Sequence, residues 1–229
     1  MKRFVWFTFL LLILPVAMRA GIVEDFNNIA TLPGSGWVMT NNSNPIGTTG
    51  WFQGNTGVFL AQSGTGDSYI AANFNNAAFG GNISNWLITP TLDLSTANQL
   101  IFWTRTETGS GFPDSLQVRL STNGSSSNVG STDTSVGDFT ALLLAVNSTL
   151  SVGGYPETWT RYVIDLAPFG SGASGRLGFR YLVSDTSVNG DYIGIDTMTV
   201  TATPEPMTLV TLATGLLGIA ARRYRKNRA

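Results

Sequence analysis

The sequence predicts an all-β body, with antiparallel strands in two packed sheets. Three observations carry that expectation. Between residues 21 and 203, short apolar or alternating runs are separated by clusters of Gly, Asn, Ser, Asp and Pro, the punctuation of a sandwich or barrel. No stretch there holds a 3.6-residue apolar period long enough for an amphipathic helix. About 180 residues can bury one sizeable core, so one domain is expected. The chain has no cysteine, so an exported body would be held by packing or by metal rather than by disulfides.

The expected elements run as follows. Residues 22–26 form a first strand, and 41–50 are a loop rich in Asn and Gly and broken by Pro45. Residues 58–61 and 68–74 read as two strands joined through Gly64-Thr65-Gly66-Asp67, a hairpin signal. A strand over 85–89 stops at Pro90. In 99–106, Leu100 and Phe102 face one way while Ile101 and Trp103 face the other, so this strand is expected to be central and covered on both sides. Leu116, Val118 and Leu120 alternate with Gln117, Arg119 and Ser121, which leaves one face wet. Residues 123–138 are a low-complexity loop, and for 139–146 the period does not decide between a helical turn and a strand. Strands over 158–166 and 177–183, each with its apolar residues in alternation, and a last strand over 192–201 complete the body. A two-sheet antiparallel jelly-roll sandwich fits these strand counts and spacings.

The two ends read differently. Lys2 and Arg3 precede an apolar stretch over 4–18, the layout of a secretory signal peptide over 1–20, with export through the Sec translocon. Cleavage is expected after Ala20, with Met18 larger than the usual small residue three positions back. Residues 204–229 open on Pro204-Glu205-Pro206, continue through an apolar run over 207–221, and end in Arg222, Arg223, Arg225, Lys226 and Arg228. An apolar helix closed by a basic cluster is a membrane segment whose end is held inside the cell. At ~1.5 Å per residue the run spans about 22 Å against a ~30 Å hydrocarbon core. Its six strongest apolar residues supply only about −3 kcal/mol of insertion, which suits a temporary hold. Pro on either side of Glu205 blocks helix and strand, leaving extended, accessible backbone.

Pro-Glu-Pro, a short apolar helix and an Arg-rich tip together resemble the PEP-CTERM sorting signal of Gram-negative bacteria. The resemblance implies processing near Pro204-Glu205-Pro206 by exosortase. It further implies transport across the inner membrane, transient anchoring through the C-terminal helix, and a final place at the cell surface or outside the cell. An ordinary C-terminal anchor behind a proline-bearing linker is the plainer alternative. In the body, Asn85-Trp86-Leu87-Ile88-Thr89-Pro90, Leu100-Ile101-Phe102-Trp103 and Leu116-Gln117-Val118-Arg119-Leu120-Ser121 come first. Trp159, Val163-Ile164-Asp165-Leu166, Gly178-Phe179-Arg180-Tyr181 and Tyr192-Ile193-Gly194-Ile195-Asp196 follow. In that order they resemble the choice-of-anchor J domain, similar to the cleaved-adhesin domains of secreted bacterial proteases. The resemblance covers nearly all of 21–200 and implies a jelly-roll sandwich related to carbohydrate-binding modules, often with a structural calcium. The PEP-CTERM resemblance also implies companionship with exopolysaccharide production and biofilm formation.

Charge and composition narrow the function classes. The formal net charge of −1 hides a segregation: residues 21–203 hold five arginines against thirteen acids, a net of −8. Such a body argues against nucleic acid as a partner. Without histidine or cysteine, triads, thiol nucleophiles and the usual zinc sites are excluded. Catalysis would fall to carboxylates such as Glu107 and Glu157 paired as in glycoside hydrolysis, and scattered acids on a β surface are mostly solvation. The reading is therefore not an enzyme. Calcium needs several oxygens. In the resembled family the first and last strands lie close together, which would let Glu24 or Asp25 meet Asp196 around one ion. Asp67, Asp185, Asn189 and Asp191 are second candidates. The other reading has Asp196 accept backbone N–H groups and the turn acids make Asx turns. Aromatic residues in or beside loops, Trp51 and Tyr155 among them, are candidates for stacking sugars, with core packing the competing role. Arg180 and the other body arginines read as decoration of sheet faces. The function expected is a non-catalytic adhesive or structural module touching exopolysaccharide; the alternative is a carbohydrate-binding module for one defined glycan.

Overall fold

In a computed structural model, described here for residues 19–170 and 174–202, the body is all-β, two antiparallel sheets packed as a sandwich. The strands are β1 (Arg19–Glu24), β2 (Val38–Asn41), β3 (Asn44–Ile46), β4 (Phe52–Gln53), β5 (Ile70–Asn73), β6 (Ala77–Ile88) and β7 (Leu92–Asp93). They continue as β8 (Ala97–Thr106), β9 (Leu116–Ser121), β10 (Ala141–Val146), β11 (Thr160–Asp165), β12 (Ser174–Val183) and β13 (Tyr192–Ala202). Among the described residues, helix is limited to four single 3₁₀ turns. The first sheet runs β11-β8-β13-β5-β4, with β1 on β13. The second runs β10-β9-β12-β6-β2, with β3 on β6 and β7 on β12. The core lies between them. Leu100 and Phe102 from β8 and Ile193 and Ile195 from β13 meet Leu116, Val118, Phe179, Tyr181 and Leu87 from the other side. Period-two alternation does this sorting, since every second residue of a strand turns to the same face.

Residues 41–50 are not loop throughout: Asn41 ends β2, and Asn44–Ile46 form β3 against β6, an edge position that tolerates Pro45. Two further expectations change. Residues 58–61 are not a strand. Val58 and Phe59 donate their N–H groups to the Asn55 carbonyl in a turn, and the segment runs on as a strap over the outer face of the first sheet. Three anchors hold it. Tyr69 Oη bonds Asn55 and the Phe59 carbonyl, Trp159 Nε1 donates to the Leu60 carbonyl at 2.8 Å, and Asp196 accepts from the backbone at Gln62 and Ser63. Four consecutive apolar residues suit such a cover as well as they suit a strand, and ring contacts with Tyr69, Trp159 and Tyr192 decide it. The second change is β8, which is central in its sheet but wholly covered on one face only. Ile101 and Trp103 are half-buried. Residues 139–146 resolve as strand β10, paired to β9 with a register shift between Leu142 and Leu144. The signal peptide, the apolar run over 207–221, Pro204-Glu205-Pro206 and the basic tip lie outside the described residues. No helix among the described residues is long and apolar enough to cross a membrane.

Candidate functional site

The second sheet turns its outer face away from the core, and that face carries an ordered row. The register sets Trp86 of β6 opposite Arg180 of β12, and Arg180 opposite Gln117 of β9. Cross-strand neighbours of this kind are about 4.5–5.5 Å apart at Cβ. The face is divided in two by the long loop after β9. Val129, Val136 and Phe139 fold down on Trp86 and Ile88 as a small second core. Gly178 is what permits it, since a Cβ there would lie 3.0 Å from the Phe139 ring. The other half of the face stays open as a groove of about 360 Å³, with Asn82, Ser115, Gln117, Asp133, Ser148 and Arg180 in its walls. A second hollow of about 400 Å³ adjoins it at Asp133 and is lined by Asn41, Asn42, Ser43, Asn44, Ser131 and Thr132.

Arg180 is the residue on which the groove is built. It is only 3% exposed. Its guanidinium lies 5.0 Å from the Trp86 ring centroid, Nε donates to Ser84 Oγ at 3.0 Å, and Nη2 donates to the Asp133 carbonyl. Burial, then the neighbouring Arg119 cation, draw its pKa down to about 10, against the pull of Asp133, so it keeps its charge at neutral pH. The amides around it are oriented by chemistry. Arg119 Nε has only protons to offer, so its 2.8 Å partner on Gln117 is Oε1, which leaves the Gln117 NH₂ free to donate. Asn82 donates to Asp133 Oδ2 at 2.9 Å and accepts from the Asp185 N–H through Oδ1. The walls therefore set two oriented amides, Gln117 and Asn82, beside one desolvated cation, with Leu150, Leu182 and Val183 supplying apolar surface between them.

The residues singled out in the sequence fall elsewhere. Trp51 is 7% and Tyr155 2% exposed, both within the main core, and the Tyr155 hydroxyl lies 2.6 Å from Thr104 Oγ1. Neither ring is an open platform, because an aromatic beside a loop buries more area inside than it would at the rim. Asp196 is fully buried, and its carboxylate is filled by the N–H groups of Gln62, Ser63 and Thr197. Burial raises its pKa to about 6 against those donors. Glu24 turns back to cap the Phe26 N–H, and Asp25 is exposed. Among the described residues no group of three or more acids gathers, at Glu24, Asp25 and Asp196 or at Asp67, Asp185 and Asp191. Asp185 instead makes an Asx turn with Ser187. Glu157 accepts from the Gly109 N–H in a loop contact. Arg180 was hidden in the sequence by its surroundings: the alternation Leu177, Phe179, Tyr181, Val183 places it on the outer face, but nothing local says that a distant loop will cover it.

The geometry defines a two-sheet antiparallel sandwich of jelly-roll type with a polar groove on one outer face. The same fold occurs in the K1 cleaved adhesin domain of Lys-gingipain from Porphyromonas gingivalis W83, at 21% identity and TM-score 0.56, over 80% of this chain and 98% of that domain. The K3 domain, from the same organism, matches at 19% and 0.53, and the K2 domain of Lys-gingipain at 18% and 0.53. Each of these covers 80% of this chain and at least 98% of its own. No protein-family model and no curated protein sequence matches the chain. At such identities the likeness is one of fold.

Proposed function

We propose that this protein is an exported, non-catalytic module that binds polysaccharide in the groove over Arg180, Gln117 and Asn82. The observation that carries this reading is the groove itself. It is open, and it combines apolar surface from Leu150, Leu182 and Val183 with the Gln117 and Asn82 amides, which are held in fixed orientation by partners behind them. Sugars present rows of hydroxyls, each both donor and acceptor, and such walls match them at little ordering cost. Delivery rests on the termini: a Sec signal over 1–20, and a PEP-CTERM tail over 204–229 that exosortase would process at the Gram-negative inner membrane, releasing the body to the surface or matrix. Glycan-array binding by the purified protein, followed by titration calorimetry on the best ligand, tests the site. Gln117→Ala and Ser148→Ala should each weaken binding about tenfold, or about 1.4 kcal/mol. Affinities untouched by both changes, or no glycan bound at all, would remove the groove as the binding site.

A further inference from the structure

We propose that the groove selects acidic sugars, with the carboxylate of a uronic acid unit received jointly by Arg180 Nη1 and Gln117 Nε2. The inference rests on the polysaccharide-binding reading and names its ligand class. Two of the three guanidinium nitrogens of Arg180 are occupied by protein acceptors, Ser84 Oγ and the Asp133 carbonyl. The third, Nη1, has no protein acceptor among the described residues, although the side chain is nearly sealed and forms part of the groove wall. Nη1 is not among the sealed, unpaired polar atoms, so its two N–H groups stay within reach of a ligand in the groove, and a charged donor there favours a charged acceptor. Gln117 stands directly across the strand pair, and with its oxygen turned to Arg119 its NH₂ is the end left to donate. Ser115 and Ser148 add hydroxyls to the same walls.

The charges agree. Arg119 reinforces the positive potential at Arg180, and the one acid opposing it, Asp133, already spends Oδ2 on Asn82. The body as a whole is at −8, which would repel an acidic polymer at long range. At physiological salt, however, charges beyond ~8 Å are largely screened, so the local pair of arginines governs what happens in the groove. A guanidinium edge beside an amide NH₂ suits a planar carboxylate, which accepts along two parallel directions. Trp86 beneath the guanidinium and Ser84 beside it keep that edge from turning away.

Titration of the full-length protein with polygalacturonate, with the same polymer fully methyl-esterified, and with dextran sulfate tests the assignment. Esterification keeps the sugar shape and removes only the charge. The acid form should bind at least tenfold tighter than the ester and tighter than dextran sulfate, and Gln117→Ala should erase most of that preference. Arg180→Lys, checked for folding by circular dichroism, should erase it as well. Equal or tighter binding of the ester would overturn the acidic-sugar assignment while leaving polysaccharide binding intact. Dextran sulfate bound as tightly as the uronate would overturn it in favour of unselective anion attraction. If no polymer bound, or Gln117→Ala changed nothing, the groove reading itself would fall with it.

Discussion

Thr106 Oγ1 lies 2.5 Å from Asp114 Oδ2 and 3.0 Å from the carbonyl oxygen of Tyr192. The hydroxyl has one proton and faces two acceptors if Asp114 is ionised. With Asp114 ionised, Thr106 donates to Oδ2; below about pH 6 a proton on Asp114 resolves the conflict, since Oδ2–H can then donate to Thr106 while Thr106 donates to Tyr192. Oδ1 meanwhile accepts from the Tyr181 hydroxyl and the Asp191 N–H. Burial pushes the acid the same way, to about 6.

The consequence is a stability that falls as pH rises. In the unfolded chain Asp114 loses its proton near pH 3.8, and in the folded protein near 6, so between these values the folded state holds the extra proton. Its stabilisation is complete below about pH 4 and is lost as pH passes through about 6. Asp196, also raised to about 6, acts in the same direction. Denaturant unfolding should show a protein about 1–3 kcal/mol more stable at pH 5 than at pH 7.5. Asp114→Asn, which supplies the donor permanently, should remove about half of that slope, leaving the share of Asp196, and stabilise the protein at pH 7.5. An unchanged slope in this variant would place the proton elsewhere.

Gly194 makes room for the strap. A Cβ there would lie 2.9 Å from the rings of Phe59, Trp159 and Tyr69 alike. Gly194→Ala should cost about 1–3 kcal/mol, the usual range for overpacking. It should also open residues 54–68 to limited proteolysis before the sheets unfold. A variant as stable and as protease-resistant as the parent would mean that the strap is not packed as described.

Tyr155 serves the core and not a ligand. Tyr155→Phe removes the hydroxyl that meets Thr104, and should cost about 1 kcal/mol of stability with glycan affinity unchanged. Weakened binding at unchanged stability would return the ring to the binding surface.

Because Asp196 is filled by backbone donors and no acids gather around it, EDTA should leave the melting temperature unmoved and added calcium should not raise it. A structural ion at 100-fold its dissociation constant would contribute about 2.7 kcal/mol, which a thermal scan would register.

On the proposed sorting route, Pro204→Ala combined with Glu205→Ala should leave the protein in the inner-membrane fraction while the parent is released. Release at the parental rate would count against processing at this motif.

The amino-acid sequence by itself determined the all-β class, most strand positions, and which residues of β9 and β12 face inward, because side-chain direction along a strand repeats every two residues and needs only local information. It also marked the ends as segregated from the acidic body, since charge can be read without a fold. What tertiary structure alone decided was pairing. Trp86, Arg180 and Gln117 stand 31 to 94 positions apart in sequence and became one row only when β6, β12 and β9 took their register. The loop over 123–138, featureless by composition, gained a role when Phe139 found the space above Gly178. Val58 and its neighbours became a strap because three anchors from distant strands outweighed their local β preference. Alternation is a property of neighbours along the chain, whereas the environment of Arg180 is set by residues the chain brings together from afar, and no local pattern encodes that.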